Sequence, residues 1–153
     1  DKMSTYIVVG GLTGLGFVIL KLLAHMGAGI IATFSRRGAL EEKALEIQQI
    51  EIESSCKIEC LRADVSDMNA LEKAISELSS RYPGHPIRGI FQGAGVIDST
   101  SFLNMTEKRF ETVMLPKVAG SWNLHCMSVS RNLPLDFFIM HSSITGILGT
   151  GGD

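Results

Sequence analysis

The stretch Tyr6-Ile7-Val8-Val9-Gly10-Gly11-Leu12-Thr13-Gly14-Leu15-Gly16 decides the fold. Tyr6 to Val9 is a short β-branched and aromatic run that stops at glycines, as a buried parallel strand does. Beyond the glycines, Leu15, Val18, Ile19, Leu22, Leu23 and Met26 recur at helical spacing, and Gly27 stands where a left-handed C-terminal cap belongs. A glycine loop between a strand and a helix points backbone N–H groups and the positive end of the helix dipole at one spot, which suits a pyrophosphate. The plainer reading is that the glycines only permit a tight turn and close packing of helix on sheet.

Outward from this unit the periodicity alternates between strand and helix. Ile30 to Phe34 reads as strand two, Leu40 to Ile52 as a more polar helix, and Lys57 to Ala63 as strand three. Ser66 or Asp67 can cap a helix carrying Leu71, Ala74, Ile75 and Leu78, which stops before the Pro83-Gly84 turn signal. Ile87 to Phe91 makes strand four. Thr106 precedes a long helical stretch with Phe110, Val113, Met114, Val118 and Leu124, which Pro116 should kink or break, and Leu135 to Met140 is strand five. Strands alternating with helices predict an α/β fold, a Rossmann-like doubly wound parallel sheet flanked by helices, as one domain over residues 1–153. A sixth strand and its helix usually complete such a sheet, so the domain is expected to be truncated after the fifth strand.

Composition narrows the function classes. A net charge of -2 over 153 residues, with no lysine-arginine run, gives no field for nucleic acid. The longest apolar runs, Phe17 to Leu20 and Phe137 to Met140, fall far short of the roughly 20 residues that span a bilayer. Cys56, Cys60 and Cys126 leave one thiol over in any disulfide scheme, which fits a reducing cytoplasm. The chain opens on Asp1-Lys2 without a signal-peptide pattern and is expected to have been cut from something longer. His25, His85, His125 and His141 are scattered, so neither a metal site nor a Ser-His-Asp hydrolase is expected.

Three further segments fall at the carboxyl ends of the predicted strands, where doubly wound folds bind ligands. Strand two runs into Ser35-Arg36-Arg37-Gly38, with no carboxylate to grip a ribose 2′-hydroxyl. A guanidinium offers forked donors to a 2′-phosphate, so Arg36, assisted by Ser35 or Arg37, favours NADP over NAD. Asp64-Val65 follows strand three, where the aspartate either borders an adenine or caps its own turn. Gly93-Ala94-Gly95 follows strand four, and its small side chains let a flat ring or ribose approach the backbone.

Taken in order, Gly10 to Gly16, Ser35-Arg36, Asp64-Val65, Gly93-Ala94-Gly95-Val96, Leu115-Pro116-Lys117-Val118-Ala119-Gly120 and Ser142-Ser143-Ile144-Thr145-Gly146 resemble the ketoreductase domain of polyketide and fatty-acid synthases. The Gly-x-x-x-Gly-x-Gly spacing is that of the short-chain dehydrogenase/reductase superfamily, and the Pro-Lys-Val-x-Gly segment is the more specific mark. The resemblance implies hydride transfer from NADPH to a β-ketoacyl thioester held on an acyl carrier protein, within a multidomain synthase in the cytoplasm. It makes Gly10, Gly11, Leu12, Thr13, Gly14, Leu15, Gly16, Ser35, Arg36, Asp64, Val65, Gly93, Ala94 and Gly95 cofactor-binding residues.

For catalysis the resemblance implies Ser143, with Ser142 as the alternative, and Lys117, whose charge lowers the pKa of a proton-donating tyrosine. Lys117 also stands out in the raw sequence, three residues after Met114 and seven after Phe110 on an apolar stripe. Its plain reading is a lysine with a buried stem and a solvated head. The family tyrosine would fall about 13 residues beyond Ser143, and an asparagine about four further, past Asp153. The chain alone is therefore expected to bind cofactor with little turnover. Ile97-Asp98-Ser99 only partly matches the Leu-Asp-Asp of one product class, and Leu148 replaces the tryptophan of the other, so product handedness stays open. Two other readings remain: a nonenzymatic ketoreductase-like scaffold, and a free-standing short-chain dehydrogenase, against which the upstream position of Lys117 argues.

Overall fold

The computed structural model describes residues 1–39 and 41–149. Five strands, β1 (Thr5–Val9), β2 (Ile30–Ser35), β3 (Lys57–Arg62), β4 (Ile87–Gln92) and β5 (Phe137–Met140), form one sheet in the order β3-β2-β1-β4-β5, and every pair is parallel. The chain winds from β1 out to β3, then crosses to the other side of β1, so the strand order reverses between β1 and β4. Ligands of doubly wound folds bind at that reversal. The register brings the strand tips level: Val9 pairs with Phe34 and Gln92, and Gln92 with Met140.

Alternation along each strand divides the core between the two faces of the sheet. Ile7, Val9, Ala32 and Phe34 face the helices α3 (Met68–Arg81) and α4 (Glu107–Ser130), meeting Leu71, Ile75, Leu78, Leu124 and Met127. Val8, Ile31 and Ile58 face α1 (Gly14–His25) and α2 (Ala44–Ser54), meeting Phe17, Leu20, Ala24 and Ile50. A last short helix, α5, covers Thr145–Leu148.

The helix ends follow sequence chemistry. Asp67, not Ser66, caps α3, its carboxylate accepting from the amides of Asn69 and Ala70. Gly27 takes a φ of +85°, and the bonds from Gly27 N to Ala24 O and from Ala28 N to Leu23 O close α1 in a Schellman turn.

Several expectations need correction. Leu15, Val18 and Leu22 of α1 and its C-cap residue Met26 are exposed, and the buried side is Gly16, Phe17, Leu20 and Ala24. Leu15 to Met26 is apolar on almost every side, so spacing alone did not determine its inward face. On α4, likewise, Phe110, Met114 and Val118 are exposed while Gly120, Leu124 and Met127 are buried. Nor does Pro116 break this helix, which runs unbroken through it. The polar helix α2 starts at Ala44 after a single 3-10 turn over Glu41–Lys43, and Leu40, its expected first residue, lies outside the described residues. Strand five begins at Phe137 rather than Leu135.

Candidate functional site

The level strand tips open a cleft of about 820 Å³ at the carboxyl edge of the sheet. Gly10, Thr13, Leu15, Gly16, Ser35, Arg36, Asp64, Val65, Gly93, Ala94 and Gly95, scattered over 86 positions of sequence, all border it. Gly11 and Leu12 are buried outside its lining, and Gly14 lies at the start of α1 without bordering it.

The glycine loop is shaped by close approach. A Cβ on Gly16 would stand 2.2 Å from the carbonyl oxygen of Gly10, so no side chain fits there. Gly10 has a φ of +75° and donates its N–H to Phe34 O at 3.0 Å. The Gly11 amide is bound to Thr33 Oγ1 at 3.1 Å, which holds the loop down on β2. Thr13 is the N-cap residue, and its side chain makes no capping bond. The first N–H groups of α1 therefore open the helix without an intrahelical acceptor, as an anion site requires.

Next along the cleft, Ser35 and Gly38 form a tight turn, Ser35 Oγ donating to Gly38 O at 3.0 Å. This turn presents Arg36 and Arg37, both exposed and both on the cleft, and neither forms an ion pair among the described residues. Asp64 does what an aspartate in a turn does: its Oδ1 accepts from the amide and hydroxyl of Ser66, at 2.9 and 2.7 Å. It borders the cleft at the same time.

At the far end, Lys117 Nζ donates to the backbone oxygen of His141 at 2.8 Å, and its Cε lies 3.1 Å from where a Cβ on Gly95 would stand. Its charge is thus neither on a core-facing stripe nor left to water alone. Burial holds its ammonium below the usual lysine range. Ser142 and Ser143 follow β5 after His141 and are exposed, and Ser143 Oγ lies 2.8 Å from Thr145 Oγ1. Lys117 Nζ is thus held to the residue that follows β5, and Ser143 lies two residues further on. Both tyrosines lie elsewhere: Tyr6 is on β1, and Tyr82 follows α3 with its hydroxyl on Glu59, its pKa pushed up to about 12 chiefly by burial.

Sequence reading gives no role to Gln92 and takes His141 as a structural histidine at a strand end. Gln92 is fully buried, its carboxamide bonded to Pro116 O at 2.7 Å and to the Ala94 amide at 3.0 Å. His141 borders the cleft with its ring beside Gly93. Its one sequence signal was its place next to Ser142. Among the described residues no group of three or more His, Cys, Asp or Glu could hold a metal ion, and no helix is long and apolar enough to cross a membrane.

Comparison with known proteins is consistent with this geometry. The profile of the KR domain matches residues 4–153. The chain is 38% identical over 148 residues to a highly reducing polyketide synthase of Didymella fabae, covering 96% of this chain and 8% of that protein. It is 37% identical over 151 residues to a reducing polyketide synthase of Cochliobolus heterostrophus, covering 97% of this chain and 6% of that one. Among solved structures, the N-terminal ketoreductase from the macrolactin assembly line superposes with a TM-score of 0.90 at 26% identity, over 99% of this chain and 30% of that one. A ketoreductase domain from the bacillaene assembly line gives 0.86 at 31% identity, over 99% and 36%.

Proposed function

The chain belongs to the KR domain family of polyketide synthases, and from that premise we propose that it forms the cofactor-binding part of an NADPH-dependent β-ketoacyl reductase. Its substrate is an acyl chain tethered as a thioester to an acyl carrier protein, and its other partners are the remaining domains of a cytoplasmic synthase. The observation that carries the reading is the pairing, in one cleft, of a glycine cradle at a helix N-terminus with an exposed Arg36 that has no carboxylate partner among the described residues.

The residues present fit a dinucleotide phosphate. Gly10, Thr13, Leu15 and Gly16 surround the start of α1, where the pyrophosphate binds, and the absence of a Cβ on Gly16 keeps that loop closed on itself. Arg36, with Ser35 and Arg37 beside it, receives the 2′-phosphate. Asp64 and Val65 border the adenine, and Gly93, Ala94 and Gly95 leave room for the ribose and ring at the other end. When bound, NADPH supplies a hydride. Ser143 Oγ donates a hydrogen bond to the substrate carbonyl oxygen, which it can do while accepting from Thr145. Lys117 holds its ammonium at the tip of β5, where it favours the anionic form of a neighbouring proton donor. Neither tyrosine within the chain reaches this point, so residues 1–153 by themselves are expected to bind cofactor with little turnover.

Fluorescence titration of the folded chain with NADPH and NADH, with folding checked by circular dichroism, tests the reading. Micromolar NADPH binding is expected, with Arg36→Ala weakening it about 10-fold towards the NADH value, the loss of one charge-assisted contact. A folded chain that binds neither dinucleotide overturns the reading and leaves the scaffold role.

A further inference from the structure

We propose that Gln92 is the positioning residue for Lys117: its carboxamide fastens α4 to the floor of the cleft and thereby sets where the ammonium stands. The proposal rests on the ketoreductase reading above, in which Lys117 acts on the proton donor.

Among the described residues four polar side chains are buried, those of Ser4, Thr5, Thr33 and Gln92. Burial obliges each to find partners. The partners of three are structural. Ser4 and Thr5 bind Asp1 and the carbonyl of His85 near the amino ends of the strands, and Thr33 holds the Gly11 amide. Gln92, only 1% exposed, is different, because its two partners belong to different walls of the site. Nε2 donates to the carbonyl of Pro116, the residue before Lys117, at 2.7 Å, and Oε1 accepts from the amide of Ala94 in the cleft wall at 3.0 Å.

The backbone of Gln92 completes a circuit. Its carbonyl accepts from His141 N at 3.0 Å, and the carbonyl of His141 accepts from Lys117 Nζ at 2.8 Å. The tip of β4, the lysine on α4 and the tip of β5 are thus joined in a closed ring of hydrogen bonds. Two glycines let the ring close. A Cβ on Gly120 would meet Val65 Cγ2 at 2.7 Å and Gln92 Nε2 at 3.0 Å, and one on Gly95 would meet Lys117 Cε at 3.1 Å. The Pro-Lys-Val-x-Gly segment therefore reads physically as carbonyl anchor, cation and close-approach point.

The test uses the intact purified protein that carries this domain, with a soluble β-ketoacyl thioester. Gln92→Leu, which removes both side-chain bonds, is expected to lower kcat on the order of 100-fold, as a misplaced reacting group does, while KM and the NADPH Kd stay within about 3-fold. Acetylation of Lys117 by acetic anhydride, read by mass spectrometry against the exposed Lys2 in the same digest, is expected to change several-fold. Gln92→His, which keeps one donor and one acceptor, is expected to restore most of kcat. Unchanged kcat and unchanged Lys117 acetylation in folded Gln92→Leu overturn the proposal, as does a fall in kcat matched by equal losses in NADPH affinity and Tm. Should Gln92→Leu fail to fold, the near-isosteric Gln92→Glu decides by the same two readouts, since it keeps the acceptor for Ala94 and loses the donor to Pro116. Wild-type protein that does not reduce the thioester overturns the ketoreductase reading instead, and Lys117 acetylation still decides the positioning role.

Discussion

At one end of the cleft the wall is main chain, and at the other it is side chain. Gly10 and Gly16 touch each other through backbone atoms alone, with 2.2 Å between the Gly10 oxygen and any Cβ that Gly16 might carry. Around Lys117, by contrast, the wall is held by the Gln92 carboxamide and the lysine itself, reaching across 24 residues to Pro116 and to His141. The first end is set by what cannot be added, since one methyl group has nowhere to go. The second is set by bonds that can be removed singly while the fold remains. Damage should therefore be steep and general at the glycine end, graded and specific at the lysine end.

Gly16→Ala probes this contrast at its steepest. Loop and helix must part to admit the Cβ, so NADPH binding is expected to fall by 100-fold or more, with a stability loss of about 1–3 kcal/mol. Titration and urea unfolding measure the two together, and binding within 3-fold of wild type would mean that the loop is pliable and the contrast false. Lys117→Met in the intact protein comes next: kcat should drop on the order of 100-fold, with a much smaller loss of NADPH affinity, because the lysine lies away from the glycine loop and Arg36. Equal losses in kcat and in NADPH affinity would erase the distinction between the ends.

The smallest effect is the pH dependence of stability. Burial holds the Lys117 pKa in the folded chain below the ordinary lysine value of 10.5. Between the two pKa values the unfolded chain holds the proton that the folded chain has released, so this group makes stability rise with pH through that window. Below the folded pKa its charge carries the full desolvation penalty. Urea unfolding from pH 8 to 10.5 should show a shallower rise in Lys117→Met, and identical slopes would mean that the ammonium is fully hydrated.

The same contrast explains what could be read in the sequence. Backbone-built features left local marks: glycines between a strand and a helix, a glycine at a helix end, an aspartate before α3. These gave the parallel, doubly wound sheet and most of the residues that border the cleft at its carboxyl edge. Features built by distant partners left none. Nothing near Gln92 announces that its amide reaches Pro116, and the helix expected to kink or break there runs on through it. The inward faces of α1 and α4 were misjudged for a related reason. Phe17 and Leu20, not Leu15 and Leu22, turn inward, because the apolar residues surround the helix and tertiary contact alone selects among them.

The ring through Gln92, Pro116-Lys117 and His141 can also be viewed as a mechanical linkage. Its members are the tips of two neighbouring strands and the middle of a helix, tied by three hydrogen bonds between 2.7 and 3.0 Å. Sliding α4 along its axis would pull on the end of β5 and on the Ala94 amide together. A load applied at one tip is shared by all three, and this end of the cleft moves, if it moves at all, as one piece.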